Sequence, residues 1–209
     1  MHRITPREVR TRLVLSDRQQ AVLVGTLLGD GCLAKHGYYH RLHIKHKAAH
    51  RSLVEFKYEV FREFVSMPIH RFDQQLLGQG FPCMQFATRT SPVFSDWAAL
   101  FYEKRRKSVP QDVACWLSPL AVAIWFMDDG AADHSGITFQ THSFNERDIQ
   151  LLIGALRENF GIVSNSRQNR GKEIIYVASA NLERLRSIVE PELLPEFAYK
   201  LVPRRLRTP

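Results

Sequence analysis

The sequence predicts an α+β protein that builds the same half twice. Two apolar stretches of helical length, AVLVGTLLGDG at 21–31 and LAVAIWFMDDG at 120–130, both end in Asp-Gly. Each is followed by the same order of elements: a short alternating stretch, an amphipathic helix, a second strand and a closing helix. Each half then ends on Lys-x-Val-Pro, as Lys107-Ser108-Val109-Pro110 and as Lys200-Leu201-Val202-Pro203. A repeat of this length sets the architecture and so comes before local structure. One helix ending in Asp-Gly is commonplace, but the same elements in the same order twice predict a duplicated unit.

Each element has its own pattern. The alternating stretches are HRLHIKH at 40–46 and GITFQTH at 136–142; period-two alternation predicts half-buried strands. In 53–65, Leu53, Phe56, Val60, Phe61 and Phe64 fall on one helical face, as Ile149, Leu152, Ile153, Leu156 and Phe160 do in 149–162. Ser143 or Asn145 is expected to cap the latter helix, with Glu146 completing a capping box to Ser143. The second strands are expected at 81–88 and 172–179, after polar loops at 70–80 and 166–172. The closing helices are expected at 91–104 and 181–194. The implied organisation is a basic N-terminal extension at 1–16, a first half at 17–114, a second half at 115–203 and a basic tail at 204–209.

The 209 residues carry 29 Lys and Arg against 21 Asp and Glu, a formal charge of +8. A basic chain of ordinary hydrophobicity points to a polyanion, nucleic acid before membrane. No apolar run reaches bilayer length, and the basic N-terminus lacks the apolar core of a secretory signal. Its arginines allow a mitochondrial presequence, against which Glu8 and Pro6 argue. Cys32, Cys83 and Cys115 are odd in number and far apart, so neither a disulfide framework nor a CxxC zinc site is expected. An intracellular, reducing compartment fits: bacterial or archaeal cytoplasm or an organelle matrix. His36, His40, His43, His46 and His50 are dense, yet no cysteine or carboxylate completes a tetrahedral set at useful spacing.

Gly25 and Gly29, with Ala121 and Ala123, would let the two apolar helices approach closely. Their C-terminal ends would then bring Asp30 and Asp129 together. Two adjacent carboxylates repel unless a cation lies between them, and oxygen ligands at a helix C-terminus favour Mg²⁺ or Ca²⁺. On a basic protein such a site suits metal-assisted phosphodiester hydrolysis, with Lys107 and Lys200 stabilising developing charge.

Residues 23–31 resemble the first motif of the LAGLIDADG homing endonuclease family, and 122–130 resemble the second. With THSF at 141–144 and FAYKLVP at 197–203, the stretch 117–130 is similar to the single-chain, intron-encoded branch typified by the mitochondrial omega-intron endonuclease. The resemblance covers roughly 18–204. It implies two pseudo-symmetric αββαββα halves packed through the motif helices, with antiparallel sheets forming a DNA-binding saddle. It implies a monomeric, site-specific double-strand DNA endonuclease that cuts a long asymmetric target and leaves short 3′ overhangs. Mg²⁺ is the implied cofactor, with Mn²⁺ substituting and Ca²⁺ binding without supporting cleavage. Asp30 and Asp129 fall on the metal-binding acid of each motif, joined by the carbonyls of Gly29 and Asp128. Lys107 and Lys200 fall on the basic residues beside the scissile phosphates, and His46 and Thr141 on positions that order water. The second motif departs from small residues at Ile124 and Asp128, which makes the helix contact less symmetric. Asp128 is read as a supporting or surface acid.

If Leu42 and Ile44 face the core, Arg41, His43 and Lys45 face the groove. If Ile137 and Phe139 do, then Thr138, Gln140 and His142 face outward. Gln85, Thr88, Arg89, Arg167, Gln168, Asn169, Arg170 and Lys172 complete the DNA-binding set, and Arg204, Arg205 and Arg207 form a phosphate-binding arm or a solvated end. The rival is an RNA-splicing maturase or DNA-binding regulator on the same fold without cleavage; a pure binder has no use for paired Asp and Lys. The initial Met and the lack of splicing blocks favour an intron over an intein.

Overall fold

The computed structural model describes residues 14–76 and 78–203. The basic extension before residue 14 and the tail from Arg204 lie outside them. The described residues divide into two compact units: 14–20 with Asp30–Ala99, and Ala21–Gly29 with 100–203.

Helix α1 (Asp17–Leu28) starts at a reciprocal cap. The Ser16 hydroxyl accepts from Gln19 N, and Gln19 Oε1 accepts from Ser16 N, which satisfies two end donors. In the first unit β1 (Cys32–His36), β2 (Tyr39–Lys47), β3 (His70–Leu76) and β4 (Gln79–Ala87) form an antiparallel sheet in the order β1-β2-β4-β3. Leu42, Ile44 and His46 of β2 are buried, while Arg41, His43 and Lys45 lie on the opposite face. Helix α2 (Arg51–Val60) covers β2 and β4 with Leu53, Val54 and Lys57. Phe64 packs its ring 5.2 Å from Phe94 of α3 (Pro92–Phe101).

The second unit repeats this strand order. Its strands β7 (Gly130–Ala132), β8 (Ile137–Phe139), β9 (Asn165–Asn169) and β10 (Lys172–Val177) pair as β7-β8-β10-β9. Helix α4 (Pro119–Asp129) is capped by the Ser118 side chain and is buried on every side from Ala121 to Asp128, as an apolar core helix should be. Trp125 and Phe126 pack on Phe139, with ring centroids 4.3 Å and 5.7 Å apart. Helix α5 (Glu146–Phe160) and helix α6 (Leu182–Val189) complete the unit.

Several expectations from the sequence are corrected. Asn145 caps α5, and its reciprocal partner is Asp148 rather than Glu146. Buried Asp148 also accepts from Val109 N at 3.0 Å, which anchors the Lys107-x-Val-Pro segment. The polar stretches at 70–80 and 166–172 contain edge strands, not loops alone. Helix α3 ends at Phe101, and a hairpin of β5 (Tyr102–Glu103) and β6 (Arg106–Lys107) replaces its expected last turn. Helix α6 stops at Val189, before the 3₁₀ turns Glu190–Glu192 and Pro195–Leu201.

Candidate active site

The second unit contains the contact between α1 and α4. A Cβ added at Gly25 would sit 2.3 Å from the Ala121 carbonyl and 2.7 Å from Ile124 Cβ. One added at Gly29 would sit 2.5 Å from the Asp128 side chain. The close approach read from the small residues is therefore present, and it is unequal. The glycines of one helix make room for Ile124 and Asp128 of the other. Asp128 is buried at 8% exposure, not a surface acid.

Each of the repeat's lysines donates to the last turn of a motif helix. Lys107 Nζ donates to the Gly29 carbonyl at 2.6 Å. Lys200 Nζ donates to the Met127 carbonyl at 2.6 Å and reaches the Asp128 carbonyl at 3.4 Å. Helix C-terminal carbonyls carry partial negative charge and accept no intrahelical bond, so a cation is favoured there. Lys107 is half-buried, whereas Lys200 is buried at 7% exposure.

In the first unit Asp30 follows this helix end with its side chain 50% exposed, and its Oδ2 lies 3.5 Å from His46 Nδ1. On the other side of the ring, Lys57 Nζ lies 3.5 Å from His46 Nε2. His46 is 5% exposed and Lys57 is fully buried. A cavity of about 630 Å³ opens beside Asp30, His46, His43 and Lys45. Lys57 escapes the sequence reading, although Leu53, Lys57, Phe61 and Phe64 share one helical stripe; a lysine in an apolar stripe is the available signal. In the second unit Asp129 is half-buried, and its carbonyl accepts from Gln140 N at 3.0 Å. Buried Thr141 donates its hydroxyl to the Glu173 carbonyl at 2.9 Å. Among the described residues His, Cys, Asp and Glu side chains nowhere gather in threes as a metal cage.

The residues read as DNA contacts divide by exposure. Lys45, His142, Gln168, Arg170 and Lys172 are exposed; Arg41, His43, Gln85, Gln140 and Asn169 are half-buried. Burial, followed by the charges of Arg41 and Lys45, holds the His43 imidazole below its ordinary pKa, with Gln85 opposing by a hydrogen bond. Burial, and then Lys35, lowers His40 in the same direction. Thr88 is buried, its hydroxyl accepting from Leu42 N. The guanidinium of Arg89 donates to the Glu63 carbonyl. Thr138 is buried and donates to the Ala131 carbonyl at 3.3 Å. Exposed Arg167 pairs with Asp133 at 2.7 Å and stacks 4.1 Å from the Tyr176 ring centroid.

Residues 20–185 match the LAGLIDADG DNA endonuclease family. Probable intron-encoded endonuclease 1 of Wickerhamomyces canadensis is 25% identical over 197 residues, 90% of this chain and 85% of that protein. Cytochrome b mRNA maturase bI2 of Debaryomyces hansenii is 25% identical over 188 residues, 86% of this chain and 72% of that protein. The homing endonuclease I-WcaI, solved bound to its DNA recognition sequence, is 26% identical with a TM-score of 0.86, over 92% of this chain and 89% of that one. I-DmoI, solved with DNA and Mn, is 11% identical with a TM-score of 0.58, over 85% of this chain and 99% of that one; it shares the fold. The mixed helix and antiparallel-sheet architecture is that of the homing endonucleases.

Proposed function

This chain belongs to the LAGLIDADG DNA endonuclease family, and from that premise we propose that it is a monomeric, site-specific endonuclease that cuts both strands of duplex DNA with a divalent metal, Mg²⁺ by preference, and leaves short 3′ overhangs. The carrying observation is the repeated helix end: an Asp-Gly terminus with a lysine ammonium on its last carbonyls, once in each half of the sequence.

Each helix end offers oxygens that would suit a hard cation: the Asp30 carboxylate after the Gly29 carbonyl, and the Asp129 carboxylate after the Asp128 carbonyl, each carbonyl keeping a second lone pair beyond the one a lysine can occupy. When bound, such a cation polarises the phosphate and lowers the pKa of water. The protein's own groups do the rest. Lys107 and Lys200 hold positive charge at the helix ends, where it offsets charge developing on the phosphodiester. His46 sits against Asp30 and steadies its carboxylate. Thr141 has its proton committed to Glu173, so its oxygen is left to accept from water.

DNA is met by the sheet faces. Arg41, His43, Lys45 and Gln85 offer base-edge and phosphate contacts from the first sheet, and Gln140, His142, Gln168, Asn169, Arg170 and Lys172 from the second. Thr88, Arg89, Thr138 and Arg167, each engaged with protein groups, are left out of this set.

Asp30→Asn and Asp129→Asn test the reading. Each is expected to retain duplex binding and to lose double-strand cutting in Mg²⁺; undiminished cutting would overturn the metal assignment. A second reading, RNA splicing without DNA cleavage, is favoured by the likeness to the Debaryomyces maturase. Binding of intron RNA together with intact duplex in the cutting assay would select it.

A further inference from the structure

The hairpin β5–β6 has the smallest possible size. Tyr102 pairs with Lys107 and Glu103 with Arg106, leaving Lys104-Arg105 as the two-residue loop. Both loop residues have positive φ, 46° and 70°. Two positive φ values mark the primed turn that suits a hairpin's twist and that Asn-Gly ordinarily supplies. The β9–β10 hairpin places glycine at the second loop position, with Arg170 at 50° and Gly171 at 74°. In β5–β6 two long basic side chains occupy both positions, so the turn carries backbone strain that glycine would relieve.

The hairpin is held at its base. Ser108 N donates to the Phe101 carbonyl at 2.9 Å, and Lys107 Nζ is fixed on Gly29. Glu103, Lys104, Arg105 and Arg106 are all exposed. Among the described residues no acid forms an ion pair with Lys104, Arg105 or Arg106. Three cations therefore stand on a fixed arm, with Glu103 as its one acid, within ~10 Å of Lys107 by the reach of three extended residues.

We propose that this hairpin is a phosphate clamp: Lys104, Arg105 and Arg106 grip consecutive backbone phosphates of the duplex next to the phosphate that Lys107 serves. The clamp rests on the reading of the chain as a DNA enzyme. It carries no base specificity, since guanidinium and ammonium groups on phosphates position a duplex without reading it.

The test replaces the turn by the pair its backbone prefers. K104N/R105G keeps the hairpin and removes two charges. Binding of the full chain to a mixed-sequence 30-base-pair duplex is followed against salt, beside thermal melting. The slope of log K against log salt is expected to fall by about 2, close to 0.9 for each phosphate that is no longer neutralised, with melting unchanged or raised. If the double variant does not fold, Arg106→Gln decides, with an expected fall of about 1. Unchanged slope and affinity overturn the clamp and leave the DNA reading standing. Failure of the unmodified chain to bind duplex at low salt overturns both. A weakening seen only with an RNA hairpin probe overturns the clamp in favour of an RNA-binding role for the hairpin.

Discussion

The two motif helices end alike and are built differently. Helix α1 carries glycine at its third and seventh motif positions; α4 carries Ile124 and Asp128 there. The missing side chains of one are filled by the bulk of the other, with the Gly25 Cα facing the Ala121 carbonyl and Gly29 facing Asp128. The surroundings of the acids diverge too. Asp30 is backed by His46 with buried Lys57 behind it, whereas in the second unit the matching position is Thr141, tied to the main chain. Packing constrains the sum of volumes at a contact, not each partner. A duplicated protein can therefore lose symmetry at its contacts and keep it in its helix ends.

The largest expected effect comes from the acids the two halves share. Asp30→Asn and Asp129→Asn should each slow cleavage about 10³-fold or more, equivalent to roughly 4 kcal/mol. A strand-resolved assay on labelled duplex then shows whether one half tolerates the change better.

Next come the glycines. Gly25→Ala and Gly29→Ala should each cost about 3 kcal/mol by overpacking, measured by denaturant unfolding. Asp128→Gly should partly rescue Gly29→Ala, because the obstacle there is a side chain. Ile124→Gly should rescue Gly25→Ala less, because the nearer obstacle, the Ala121 carbonyl, stays in place. Equal rescue in both double variants would contradict the packing described.

The lysines should separate stability from rate. Lys200→Met removes a buried charge-assisted hydrogen bond and should cost ~2 kcal/mol of stability as well as activity. Lys107→Met, at a half-buried position, should slow cleavage with a smaller shift in melting. Equal melting shifts would break the contrast.

The smallest effect is acid sensitivity of the first unit. His43 and His40 are held below their ordinary pKa of 6.5, so the folded state binds protons less readily than the unfolded chain. Their contribution to stability is complete above about pH 6.5 and is lost as pH falls below it. His43→Gln should flatten the acid limb of a stability–pH curve; an unchanged limb would assign it to other groups.

Much of this is legible in the sequence because the repeat is punctuated. The Asp-Gly helix ends, the Lys-x-Val-Pro segments and the alternation of β2 all mark real elements. Strands β3 and β9 read as polar loops because edge strands need little apolar alternation; Asn165–Gln168 are exposed throughout. The β5–β6 hairpin escapes because its loop is Lys-Arg, with neither glycine nor asparagine to announce a turn. Lys57 escapes because its neighbour His46 comes from another element: the apolar stripe marks the position but not that neighbour. The lysine acceptors also need coordinates: spacing pairs Lys107 and Lys200, but only the fold shows that one donates to Gly29 and the other chiefly to Met127.

The most direct test of the paired helix ends as a cutting site is a cleavage selection. A randomised duplex library is incubated with the protein in Mg²⁺, with Asp30→Asn alongside, and the cut ends are sequenced. The expected result is one long, asymmetric motif with staggered 3′ ends, absent from the Asp30→Asn arm. Intact duplex throughout, with tight binding to duplex or RNA in parallel, would contradict it and mark a chain that kept the fold without the chemistry.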